Sequence, residues 1–192
     1  MVGLVLLLAL LAPRQACALD PLFVAAENRD LIDDLTTEYL PGTRAGLVAA
    51  WVHQESRWKA TAVSKKGARG PLQIMPETAR DIRRACHLPE LDLTDMASSL
   101  KGGFCYARMI RRQVGKMASA ADQDEAMFRA YNGGAGYIRK ERDAAKKDGK
   151  EDGVAVNLRD YCRSFRSQDS CEENLSYYTY IIHWFKKYYR SW

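Results

Sequence analysis

The sequence predicts a mostly α-helical protein folded as one domain, and three observations carry that prediction. Apolar residues recur at helical spacing nearly throughout. No alternating run rich in Val, Ile and Thr is long enough to demand a sheet. The chain of 192 residues, 47% of them hydrophobic, has the material for one sizeable core and no sign of a second domain.

The elements follow in chain order. Residues 1–18 stand apart: an apolar run from Val2 to Ala12, then Pro13, then Ala16-Cys17-Ala18, a small-x-small site suited to a signal peptidase. The run lacks helical amphipathicity and is shorter than the roughly 20 residues a membrane span needs. It reads as an export leader, with residues 19–192 as the mature domain and no stable membrane span after cleavage. Arg14 occupies the position where a lipoprotein signal ending at Cys17 would need Leu.

Asp20 and Pro21 supply the N-cap and first position of a helix running to about Glu38, which Pro41-Gly42 ends. Thr43 caps a second helix to about Ser56. Pro76 opens a short helix through Cys86, Thr94-Asp95 a longer one to about Gly115, and Asp122 another that stops at Gly133-Gly134. A very polar helix from Tyr137 to Lys147 precedes a charged loop, Gly149 to Gly153. Asn157 to Asp169 reads as irregular, and Ser170 caps a final aromatic helix, Cys171 to Tyr189.

Export to the periplasm or cell wall means an oxidising compartment. Loss of Cys17 with the leader leaves Cys86, Cys105, Cys162 and Cys171, an even number that suits disulfides. Three pairings are possible. Nearer partners close smaller loops, which favours Cys86 with Cys105 and Cys162 with Cys171. Zinc held by four thiolates is the rival, but the chain has no C-x-x-C pair and scatters His53, His87 and His183, so neither a metal nor another cofactor is expected. The net charge of +5 suits either attraction to an anionic wall polymer or a merely solvated surface. Spread-out Lys and Arg argue against nucleic acid.

The chemistry concentrates between Glu55 and Ala79. Leu47, Trp51 and Glu55 fall at i, i+4 and i+8, so the carboxyl shares a helix face with two large apolar side chains. Partial burial, and the negative end of the helix dipole, both disfavour its charged form and raise its pKa, which suits a proton donor near neutral pH. A solvated glutamate at a helix end is the bland alternative. The loop that follows tips the balance. Gly67 and Gly70 permit tight turns beside a ligand, Ser64 and Gln73 offer neutral hydrogen-bonding groups, and Met75 offers an adaptable apolar contact. Such groups suit sugar hydroxyls and N-acetyl groups.

These residues carry a resemblance. Glu55-Ser56, Ser64, Gly67-Ala68-Arg69-Gly70 and Gln73-Ile74-Met75-Pro76-Glu77-Thr78-Ala79 look like the soluble lytic transglycosylase domain family, within the lysozyme-like superfamily. Ala130-Tyr131-Asn132-Gly133-Gly134 and Glu173-Asn174-Leu175-Ser176-Tyr177 match the same family in order, so the likeness spans roughly Leu31 to Tyr189. It implies a lysozyme-like helical fold that binds peptidoglycan glycan strands and cleaves the β-1,4 bond between N-acetylmuramic acid and N-acetylglucosamine, leaving a 1,6-anhydro end. Glu55 matches the single catalytic acid. Ser64, Gln73 and Met75 match groove residues, Tyr131 and Asn132 one wall, and Glu173 and Tyr177 the element closing the site, with Tyr177 the better candidate for a place beside Glu55. Pro71 stands where the family has an apolar residue such as Leu, and the stretch between Asn132 and Glu173 is longer than the family's.

Bland readings stand beside several of these assignments. Ser170-x-x-Glu173 has the form of a capping box, Gly133-Gly134 that of a helix end, and Tyr177, Tyr180, Ile181 and Trp184 have core spacing. For the whole chain the rivals are a hydrolytic muramidase of goose-lysozyme type, with one of Asp33, Asp34, Asp81 or Asp95 positioning water, and a non-catalytic wall-binding module of a secretion machine or phage particle. An intact Glu55 argues against the latter. A monomer is expected, with a secretion-system or phage partner conceivable.

Overall fold

The structure, a computed structural model, describes residues 20–192; the leader expected over residues 1–18 lies outside the described residues. Its helices are α1 (Pro21–Glu27), α2 (Arg29–Tyr39), α3 (Ala45–Ser56), α4 (Pro76–Ala85), α5 (Met96–Val114), α6 (Ala120–Gly133), α7 (Ala135–Lys147), α8 (Ala155–Arg159), α9 (Cys162–Phe165) and α10 (Gln168–Trp184). A π-helical turn, Phe185–Tyr189, continues α10. Among the described residues strand-like pairing is confined to isolated bridges of Val63 with Arg69 and Arg69 with Ile74.

Several boundaries depart from expectation, each for a local reason. The first helix is two: Asp20 caps α1 by accepting from the Leu22 N–H at 2.8 Å, but the Asn28 amide turns back onto the Val24 carbonyl at 2.8 Å. An asparagine that bonds its own backbone competes with the helix, and α2 starts afresh. Thr43 does not cap α3, whose N-cap position is Arg44; its hydroxyl instead donates to buried Asp124 at 2.5 Å. Ser119 rather than Asp122 caps α6, and Ser167 rather than Ser170 caps α10. In both cases the expected cap sits at the third helical position and donates its N–H to the serine ahead of it. The stretch read as irregular holds the short helices α8 and α9.

α3 is the axis of the fold. Every residue from Gly46 to His53 is buried, so it is enclosed on all sides, as a helix apolar around its whole circumference must be. α2, α10 and the π turn pack on it, while α5, α6 and α7 form an adjoining group. Trp51 is the centrepiece, fully buried against the rings of Phe104, Phe128 and Tyr131 at centroid distances of 6.0, 5.6 and 4.7 Å. Disulfides join Cys86 to Cys105 and Cys162 to Cys171. The first ties the end of α4 to α5; the second ties α9 to α10.

The loop from α3 to α4 is held by its own backbone. Arg69 and Ile74 exchange N–H to carbonyl bonds at 3.0 and 2.9 Å, and the Gly70 N–H reaches the Ala62 carbonyl at 2.9 Å. Gly70 has φ +78°, and a Cβ there would lie 1.8 Å from the Leu93 carbonyl oxygen, so only glycine fits.

Candidate active site

Glu55 sits in the last turn of α3, half-buried. Trp51, one turn earlier, donates its indole N–H to the Tyr177 hydroxyl at 2.9 Å. Tyr177, nearly buried on α10, in turn donates to Glu55 Oε1. A phenol has one proton to give, and with Trp51 occupying its lone pair that proton is committed to the carboxyl. Burial pushes the Glu55 carboxyl up from its ordinary 4.5 to about 7, against the lowering effect of the hydrogen bonds from Tyr177 and Trp51. Tyr177 itself is raised well above the usual phenol range by burial and by the facing Glu55. The expected face of Leu47, Trp51 and Glu55 is therefore present, but Trp51 acts as a donor as well as an apolar neighbour.

Tyr131, at the end of α6, stands edge-on to Trp51 and donates to the Leu72 carbonyl at 2.8 Å. It thereby pins the α3–α4 loop to α6. Burial and the nearby Glu55 raise its pKa strongly, which places it in the electrostatic reach of the acid. Asn132 is exposed, and its side-chain oxygen accepts from Asn174 at 3.1 Å. Gln73, in the left-handed region at φ +47°, gives its amide N–H to the Gly70 carbonyl at 2.9 Å. Among the described residues its side-chain oxygen has no partner and remains an acceptor for a ligand. The Ser64 oxygen closes its own turn by accepting from the Ala68 N–H at 3.0 Å. Met75 is half-buried immediately before α4.

Glu173 is exposed and lies one helical turn before Tyr177. The capping-box reading fails, because Ser167 takes the cap and Glu173 falls in the second turn of α10. Tyr180, read with the core aromatics, is 53% exposed. Two residues were given no role by the sequence, although Asn174 lies within the last of the matching segments. Asn174 is buried, donates to the Arg129 carbonyl at 2.8 Å and accepts from Arg129 Nε at 3.1 Å; its spacing of three from Tyr177 on one helix face was the available signal. Arg166 donates to the Gly133 carbonyl at 3.1 Å, and nothing in its local pattern announces that contact.

A separate basic groove of about 590 Å³ is lined by Arg108, Arg111, Arg112 and Lys116 beside Pro41. It lies near the other end of α3 and contains none of the residues above.

Tyr177→Phe removes a bond that lowers the Glu55 pKa, so the carboxyl should keep its proton to higher pH. The alkaline limb of the pH–activity profile should move upward, by about half a unit to one unit; an unmoved limb with lowered activity would show that Tyr177 only packs.

A helical fold in which a half-buried carboxyl accepts from a buried tyrosine and is followed by a loop braced through its own backbone defines the class. The family described as Transglycosylase SLT domain matches residues 37–153, more than half of the chain, and the protein belongs to it. It is 30% identical over 102 residues to membrane-bound lytic murein transglycosylase F of Pseudomonas putida (strain W619), covering 53% of this chain and 20% of that protein. The Pseudomonas fluorescens protein of the same name is 32% identical over 103 residues, 54% of this chain and 20% of that one. The chain thus spans about a fifth of the length of the curated relatives it matches. The 70 kDa soluble lytic transglycosylase of Escherichia coli superposes with a TM-score of 0.58 at 24% identity, covering 82% of this chain and 24% of that chain. An inactive mutant of lytic transglycosylase Slt from Pseudomonas aeruginosa gives 0.60 at 19% identity, covering 83% and 24%. These two likenesses concern the fold. No helix among the described residues is long and apolar enough to cross a membrane.

Proposed function

We propose that this protein is an exported peptidoglycan lytic transglycosylase that cleaves the β-1,4 bond between N-acetylmuramic acid and N-acetylglucosamine and leaves a 1,6-anhydromuramic acid end. The observation that carries this reading is the Glu55 carboxyl, held by Tyr177 and poised at about 7 by burial, with no second carboxylate among the causes of its shift. A group half protonated at neutral pH can first give a proton and then take one back.

Glu55 gives its proton to the glycosidic oxygen, which leaves with the N-acetylglucosamine side as C1 of the muramic acid gains oxocarbenium character. The C6 hydroxyl oxygen of the same sugar then bonds to C1 and yields its proton to the Glu55 carboxylate. The acid is regenerated and no water is consumed. Gln73 and Asn132 would hold hydroxyl and N-acetyl groups, Met75 an apolar sugar face, and Tyr131 keeps the loop in place. The relatives named lytic murein transglycosylase support the same chemistry.

Hydrolysis would need a carboxylate to aim water. Asp33 and Asp81 are exposed and lie 4.0 and 2.7 Å from Arg29 and Arg84, Asp95 caps α5, and Asp34 is exposed on α2. None of these arrangements favours that reading. Purified wall incubated with the protein should release soluble muropeptides; intact wall after prolonged incubation would refute the proposal.

A further inference from the structure

The basic groove of about 590 Å³ is built chiefly from the C-terminal part of α5. Arg108 and Arg112 lie one turn apart on one face of that helix, about 6 Å from one another. Arg111 stands beside them, and Lys116 follows two residues past the helix end at Val114. The negative end of the α5 dipole favours cations in the last turn, which suits Arg111 and Arg112. That effect fades within a turn, so it explains Arg108 poorly and gives no reason for a groove.

The charge in the groove is unmatched. Among the described residues none of the four cations takes part in a salt bridge, and Glu38 is the one carboxylate in the lining. Arg108 lies over the Tyr39 ring at 4.6 Å, and its buried Nε makes no hydrogen bond. Arg111 has a structural use, since it donates to the Pro41 carbonyl at 3.1 Å and faces Asp124 across Thr43. Arg112 and Lys116 are exposed and have no such use. Guanidinium forks gathered in a groove are complementary to carboxylates. Two observations favour a peptide over a lipid surface. The exposed large apolar side chains, Phe23, Val156 and Tyr180 among them, lie outside the lining, so the groove offers nothing to insert into a bilayer. An extended peptide carries alternate side chains on one side about 6.6 Å apart, close to the spacing of cations one helical turn apart.

We propose that this groove docks an extended acidic segment of a partner protein, whose alternate carboxylates meet Arg108, Arg112 and Lys116. Pro41 and the edge of Tyr39 supply an apolar floor between the charges. Pro41 lies just ahead of α3, and Glu55 lies in its last turn. The 12 residues of α3 span about 18 Å, so a docked segment leaves the acid uncovered. The partner thus fixes where the protein sits without closing its candidate active site.

The probe is a short fluorescein-labelled peptide alternating Glu with Ser, and the control replaces each Glu by Gln. In fluorescence anisotropy the protein should bind the Glu peptide about tenfold or more tightly than the Gln peptide, less so as salt is raised. Arg112→Glu with Lys116→Glu should bring the Glu peptide down to the level of the control. Lys59→Glu with Lys65→Glu makes the same change of net charge in the exposed loop after α3, and should alter the affinity by less than about twofold. If the reversal in the groove unfolds the protein, Arg112→Gln with Lys116→Gln introduces no new repulsion and should still weaken binding about tenfold. Equal binding of the two peptides, or equal losses in the groove and loop variants, would overturn the proposal. So would binding to phosphatidylglycerol vesicles with no binding of the Glu peptide.

Discussion

Glu55→Gln is expected to lower the rate of wall cleavage by about a thousandfold or more, because in the proposed mechanism one group serves as both acid and base and general catalysis of each kind is worth roughly a hundredfold or more. Glutamine keeps the shape and can still accept from Tyr177, so binding to purified wall should survive. A variant that still cleared walls would refute the assignment. The same substitution has a signature in stability. The folded carboxyl titrates near 7 and an unfolded one near 4.5, so the unfolded chain loses its proton first as pH rises. Stability that the wild type holds below about 4.5 is lost between there and 7, by something on the order of 1 to 3 kcal/mol. Glutamine does not titrate, so the variant should melt above the wild type at pH 8 and alongside it at pH 4.

Glu141→Ala should be the most destabilising single change near the site. It leaves Arg129 and Arg166, both almost fully buried, with no carboxylate partner. Breaking a buried ion pair in this way costs on the order of 3 to 5 kcal/mol, which in a domain of this size lowers the melting temperature by roughly 10 °C. The damage should spread, because Arg129 orients Asn174, and Asn174 bonds Asn132. Chemical denaturation with an unchanged slope and a lower midpoint is the expected result. A loss below about 1 kcal/mol would mean that water or backbone satisfies the two arginines.

The same network marks the limit of what the sequence discloses. Glu55, Tyr177 and Gly70 were legible because each rests on local information: helical spacing for the acid, an ordered motif for the tyrosine, a turn residue for the loop. The cysteine pairing followed from loop length. The buried charges were illegible for the opposite reason. α7 reads as a solvated polar helix, yet Ile138, Glu141 and Ala145 form a buried face, and what permits Glu141 to be inside is two arginines on other elements. Periodicity registers one helix at a time and cannot register a partner brought in by the fold. The shifted caps have a smaller cause. Ser119 and Asp122, like Ser167 and Ser170, are paired cap formers three residues apart, and only backbone geometry decides which of each pair begins the helix. Asn28 likewise had two uses, as a helix residue or as a breaker, and its bond to Val24 selects the second.

If Glu55 works alone and the sugar's own C6 hydroxyl takes the place of water, mass spectrometry of the muropeptides released from purified wall should find fragments lighter than hydrolytic products by one water, carrying 1,6-anhydromuramic acid and resisting borohydride reduction. Fragments with reducing muramic acid ends would instead assign the protein to the hydrolases.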